Sequence, residues 1–309
     1  MQAIRIIKPG PLTTVQDQGR TGFQDRGVPV SGAMDLAAYR LGNLLVGNRG
    51  NEASLEITLG GFAAEFLIDT RFCVTGAEPE ARLNNRIIAT WTCLRTSPGD
   101  VLSLDYSRKG TRWYLALAGG LNVPLVMGSR STYLRGGFGG LEGRSLQKGD
   151  VLESGVPSGP GLSSPVPAEL IPNYSHEPLL RVVLGPQEDE ISEEGISTFL
   201  KSSYTVTQRC DRMGCLLEGP PLKHKWGPDI ISDATAFGSI QVPGSGRPII
   251  LMADRQTVGG YVKIATVATV DLPLIAQSIP GDKVGFQVIG LKEAQALLIE
   301  KEERIRDFL

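Results

Sequence analysis

Residues 240–261, IQVPGSGRPIILMADRQTVGGY, contain the pattern that decides the fold. An apolar piece meets a Pro-Gly-Ser-Gly turn, and a second apolar run, residues 249–253, follows at once. That run stops in a polar cluster, Asp254, Arg255, Gln256 and Thr257, and then Gly259, Gly260 and Tyr261. Short apolar runs bounded by Gly and Pro read as strands. A strand that ends in a carboxylate, a guanidinium, an amide and a hydroxyl delivers polar groups to its end. The paired glycines let backbone approach a ligand closely. The competing reading is a plain strand and turn with solvated polar residues.

Working outward, the same punctuation recurs along the whole chain. Apolar runs at 55–59, 63–68, 71–75, 101–105, 113–118, 179–184, 248–253, 261–270 and 284–289 are separated by Gly, Pro and Asp turns. Many short strands at such spacing predict a mainly β protein with barrel or sandwich character and a few helices. Three helices are expected: residues 34–45 with Ser31 as the N-cap, 188–201, and 292–308. Residues 154–178, rich in Pro, Ser and Gly, are the clearest break in composition and read as an extended linker. Ser97-Pro98-Gly99-Asp100-Val101 is echoed by Ile279-Pro280-Gly281-Asp282-Lys283 and, more briefly, by Lys148-Gly149-Asp150-Val151. The echo suggests two related β domains, against the plainer reading that Pro-Gly-Asp makes a good turn.

The chain has 309 residues, enough for two domains, and a formal net charge of −2. That balance argues against a nucleic-acid partner, which wants a basic face. No apolar run approaches the ~20 residues that span a bilayer, and the start, MQAIRIIKPG, lacks the apolar core of a signal peptide. A cytoplasmic protein with no membrane association is expected. In a reducing compartment the four cysteines, Cys73, Cys93, Cys210 and Cys215, are expected as free thiols, a redox role for Cys210 and Cys215 being the lesser reading. Their spacing does not make a zinc site, and no metal is expected. With only His176 and His224 present, a histidine-based triad is disfavoured. Chemistry would fall to Asp, Arg, amides or a partner's residues.

Two further segments can meet a ligand. Residues 10–35 hold Asp17, Arg20, Ser31 and five glycines, a composition that can cradle an anion through backbone N–H groups and Arg20. Residues 128–143, GSRSTYLRGGFGGLEG, carry Ser129, Arg130 and Ser131, but match neither a Walker A loop nor G-x-G-x-x-G. Asp211 and Arg212, in RCDRMGCLLEG, form either a structural salt bridge or part of a polar site with the 254–257 cluster.

These segments together resemble one family, the KipA-like proteins. They are also described as the 5-oxoprolinase C subunit, allophanate hydrolase subunit 2, or the A/B part of a biotin-dependent carboxyltransferase. The resemblance is carried along the chain by GPLTTVQDQGRTG, GVPVSGAMD, NLLVGN, LEITLGG, LALAGGL, GSRST, GGLEGRSLQKGD, DRMG, IQVP, GRPIILMADRQTVGGY and AQSIPGD. It implies two cyclophilin-like β-barrel domains: residues 1–155, a linker at 156–178, and residues 179–309 with a C-terminal helix. It also implies one component of an ATP-dependent enzyme that opens 5-oxo-L-proline to L-glutamate. The other two components would be a KipI-like protein and a LamB/YcsF-type protein. ATP need not bind this chain.

Two alternatives follow from the same resemblance. One is a component of a biotin-dependent, urea carboxylase-like carboxyltransferase. The chain has no Met-Lys-Met site, so another protein would carry the biotin. The other is a regulatory protein that binds a KipI-like kinase inhibitor. Within the first reading, Asp254 and Asp17 are the candidate catalytic groups. Arg20, Ser129, Arg130, Ser131, Arg212, Gln241, Arg255, Gln256, Thr257, Gly259, Gly260 and Tyr261 are the candidate substrate-binding residues.

Overall fold

The structure is a computed structural model and describes residues 1–78, 80–107 and 109–309. The chain divides into two compact units. The first comprises Met1–Thr21, Ser31–Pro172 and Asp307–Leu309, and the second Gly22–Val30 and Asn173–Arg306.

The first unit carries β1 (Gln2–Pro9), β2 (Leu12–Gln16), β3 (Ser54–Thr58), β4 (Phe62–Phe66), β5 (Thr70–Glu78) and β6 (Ala81–Leu83). It continues with β7 (Arg86–Ile87), β8 (Leu94–Thr96), β9 (Val101–Leu104), β10 (Lys109–Leu117) and β11 (Val151–Glu153). They form two sheets, of order β11-β1-β4-β9-β6-β7 and β2-β3-β10-β5-β8, antiparallel at each pairing. Strand alternation builds the core. On β4, Phe62, Ala64 and Phe66 are buried, while Glu65 turns outward and pairs with Arg5 at 2.7 Å. Ile4, Ile57, Phe72 and Trp113 from both sheets join one apolar cluster.

Helix α1 (Leu36–Leu45) starts two residues later than the sequence suggests, and its cap is Asp35 rather than Ser31. The Asp35 carboxylate accepts from the Ala38 N–H at 3.0 Å. Ser31 takes a left-handed φ of 57° and its buried hydroxyl has no hydrogen-bond partner among the described residues. Part of the expected linker packs on this unit: Leu162 N–H donates to Leu45 and Val166 N–H to Trp91.

The second unit holds β12 (Leu179–Leu184), α2 (Glu193–Lys201), β13 (Tyr204–Cys210), β14 (Gly214–Glu218), β15 (Asp229–Ala234) and β16 (Ser239–Val242). After these come β17 (Ile249–Leu251), β18 (Val258–Val267), α3 (Leu272–Gln277), β19 (Lys283–Val288) and α4 (Leu291–Phe308). The order is β12-β19-β13-β14-β17-β16-β18, and β18 pairs back onto β12, so the sheet closes as a barrel. Strand β15 pairs with the outer part of β18. The protein is mainly β with four α-helices among its described residues, as the short-run pattern predicts.

The cysteine expectation is corrected. Cys210 and Cys215 form a disulfide, while Cys73 and Cys93 are free. The β13–β14 hairpin register sets the two cysteines opposite one another with Cα atoms 4.0 Å apart, a juxtaposition that their spacing alone does not disclose. No helix is long and apolar enough to cross a membrane among the described residues.

Candidate functional site

The polar end of the opening stretch is built on strand ends. Asp254 follows β17, and Arg212 lies in the turn between β13 and β14. The two form a buried bidentate pair, Nε to Oδ2 at 2.8 Å and Nη2 to Oδ1 at 3.0 Å. The Asp254 N–H also donates to the Arg212 carbonyl at 2.7 Å, and Met252 N–H to the Met213 carbonyl at 2.9 Å. The Asp211 carboxylate accepts from the Met213 and Gly214 N–H groups and closes the turn. The pair therefore ties the hairpin tip to the end of β17.

Arg255, 7% exposed, points its donors at the carbonyls of Thr235 and Met252, both at 3.4 Å, and stands 6.0 Å over the Phe237 ring. No carboxylate pairs with it among the described residues, and burial pushes its guanidinium down to about 10, so it keeps its charge at neutral pH. The Thr235 hydroxyl donates to the Gln256 carbonyl, and the Thr235 N–H to the Thr257 carbonyl.

Beside this framework a cleft of about 670 Å³ opens on the barrel. Gln208, Arg209, Cys210 and Asp211 line it from β13 and its turn, and Gln241, Pro243, Ser245 and Arg247 from β16 and its turn. Met213, Gly214 and Leu216, Ile249 and Leu251 of β17, and Gln256 and Tyr261 line it as well. Of the candidate substrate-binding residues, Gln241, Gln256 and Tyr261 line the cleft, while Arg212, Arg255, Thr257, Gly259 and Gly260 do not, nor does Asp254. Sequence reasoning missed Arg209 and Arg247. Each lay beside a motif already noted, Arg209 before DRMG and Arg247 inside GRP, and the available signal was cationic residues at strand ends flanking turns. The cleft joins guanidinium groups to neutral amides, which suits a small ligand bearing a carboxylate and a carbonyl.

The first unit gathers the other polar residues around Asp17, at the end of β2. Its carboxylate accepts from Ser129 Oγ at 2.6 Å, Ser131 Oγ at 2.5 Å, Arg130 N–H at 2.5 Å and Gly19 N–H at 2.8 Å. Arg20, 1% exposed, donates to the Ser131 and Val126 carbonyls and lies 5.0 Å over the Phe138 ring. Arg130 Nε donates to the Val123 carbonyl at 3.0 Å. The two Gly-rich segments do converge, but on this chain's own carboxylate. The hydroxyls and N–H that a phosphate would need are already used there, so this loop does not fit a nucleotide triphosphate. Among the described residues no group of three or more His, Cys, Asp or Glu side chains is placed to hold a metal ion.

A closed barrel with a guanidinium- and amide-lined cleft, in a chain that also folds a second β-rich unit, defines a small-ligand-binding β protein. The family model described as carboxyltransferase domain, subdomain A and B, matches residues 26–288, and the chain belongs to that family. It is 40% identical to the 5-oxoprolinase C subunit of Escherichia coli (strain K12), over 94% of this chain and 93% of that protein. It is 36% identical to the 5-oxoprolinase C subunit of Haemophilus influenzae, over 97% and 95% respectively. The crystal structure of the Kluyveromyces lactis urea carboxylase superposes with a TM-score of 0.95 at 33% identity, covering 99% of this chain and 29% of that one.

Proposed function

We propose that this chain is the C subunit of a cytoplasmic, ATP-dependent 5-oxoprolinase that hydrolyses 5-oxo-L-proline to L-glutamate. The observation that carries the reading is the 40% identity to a 5-oxoprolinase C subunit over nearly the whole of both chains. The cleft supports it chemically. Arg209 and Arg247 offer cations to the ligand's carboxylate, and Gln241 and Gln256 offer amides to the lactam.

In this reading Asp254 and Asp17 are positioning residues rather than proton carriers. Both oxygens of Asp254 are engaged by Arg212, and Asp17 is held by four donors. Asp254 fixes the turn that carries Gln256 to the cleft. Arg20, Ser129, Arg130 and Ser131 stabilise the first unit's loop. A KipI-like protein and a LamB/YcsF-type protein supply the ATP-dependent part of the reaction and complete the enzyme.

The test is reconstitution: this chain is purified with both partner proteins and glutamate release from 5-oxoproline and ATP is assayed. Release that requires all three chains is the expected result; no release with all three present overturns the reading. The TM-score of 0.95 to a urea carboxylase favours one second reading, a carboxyltransferase component served by biotin on another protein. Urea-dependent turnover on adding a biotin carrier protein would select it.

A further inference from the structure

Buried polar atoms in folded proteins are nearly all hydrogen-bonded, so one that is not calls for an explanation. Gln241 on β16 is 2% exposed and lines the cleft. Its Oε1 accepts from Gln256 Nε2 at 3.1 Å. The bond couples the two amides, with Gln256 as donor and Gln241 as acceptor. The Gln241 Nε2 has no hydrogen-bond partner among the described residues.

The neighbouring backbone is shaped around that nitrogen. A Cβ on Gly259 would lie 2.4 Å from Gln241 Nε2. Gly259 does not take a left-handed φ, so its conformation does not demand glycine. A Cβ there would instead push the Gln241 amide out of place.

We infer that Gln241 reads a carbonyl: its Nε2–H donates to the oxygen of a planar amide-type C=O, lactam or ureido, held in the cleft, with Gln256 setting the orientation. The inference rests on the proposed reading of this cleft as the substrate site. A neutral, fixed amide donor suits a neutral carbonyl oxygen better than a lysine would, because it attracts no counter-ion while the site is empty. The bond strengthens if negative charge develops on that oxygen. The ligand's carboxylate falls instead to the guanidinium groups of Arg209 and Arg247. A site built to hydrogen-bond a ligand group discriminates strongly against an analogue that lacks the group.

The test measures binding to the full chain by calorimetry. The probes are 5-oxo-L-proline and cyclopentanecarboxylate, which keeps the ring and the acid but has no carbonyl in the ring. The wild type is expected to prefer 5-oxoproline by about tenfold or more. Gln241→Glu replaces the donor with an acceptor and is expected to abolish the preference while cyclopentanecarboxylate still binds. Gln256→Leu, at an exposed position that leaves the core intact, is expected to reduce the preference severalfold by releasing the Gln241 amide.

Equal affinity of the wild type for both probes, or binding of neither, overturns the inference without any variant having to fold. The two readings also fail separately. A reconstituted complex that releases glutamate at the wild-type rate with Gln241→Glu would sink the role of Gln241 and leave the 5-oxoprolinase assignment standing. Discrimination by the isolated chain without turnover in the complex would do the reverse.

Discussion

Asp254 and Arg212 are 42 positions apart and meet as a buried, bidentate pair. Removing one member of such a pair leaves the other charged and without compensation, a loss of roughly 3–5 kcal/mol. Asp254→Asn keeps the shape and one acceptor oxygen, so the lower end applies: about 3 kcal/mol less stability in urea unfolding. Loss of activity in a reconstituted complex with unchanged stability would instead return Asp254 to a direct chemical role. Asp17 is the comparable hub of the first unit. Asp17→Ala strands the Ser129 and Ser131 hydroxyls and the Arg130 N–H, and is expected to cost about 3 kcal/mol in the same measurement. Both residues were legible as special, Asp254 as the polar end of an apolar run and Asp17 as part of a polar, Gly-rich segment. That their oxygens serve neighbours rather than a ligand was not legible, because those neighbours come from distant parts of the chain.

At the scale of elements, the Gly-Asp echo resolves into turn chemistry. Asp100 accepts from the Ser97 N–H, Asp150 from the Gln147 N–H and Asp282 from the Ile279 N–H, each three residues back, just before β9, β11 and β19. The backbone bond from Ser97, then the Asn84 side chain, holds the Asp100 carboxyl below its usual range; the Arg144 guanidinium does the same for Asp150. A carboxyl held lower in the folded state stabilises the protein above its unfolded value of about 3.9, and that stability is lost as pH falls through the lowered folded value. The urea midpoint is therefore expected to drop between pH 5 and pH 3, and to drop less in Asp150→Asn. Elements whose signals are local, such as β12 and β18, appeared close to where the apolar runs placed them. Helix α3 escaped notice because its six residues show less than two full turns of periodicity.

The whole molecule carries a tryptophan reporter in each unit. Trp91 and Trp113 of the first unit are 7% and 0% exposed, while Trp226 of the second is 85% exposed. Acrylamide is expected to quench one fraction of the native emission strongly, and Trp226→Phe to remove that fraction. Quenching that survives the substitution would mean that the first unit's core is open to solvent. The remaining emission of the variant then follows unfolding of the first unit alone.

The sequence by itself determined the mainly β architecture, the turns, and the family, because these rest on short apolar runs, on Gly, Pro and Asp at turn positions, and on motifs contiguous in the chain. Only the tertiary structure decided which polar residues are free to meet a ligand. Asp17 finds Ser131 across 114 positions, and the cleft draws Arg209, Gln241 and Tyr261 from different strands of one barrel. Strand pairing and register set those meetings, and register is a property of the closed sheet rather than of any segment within it.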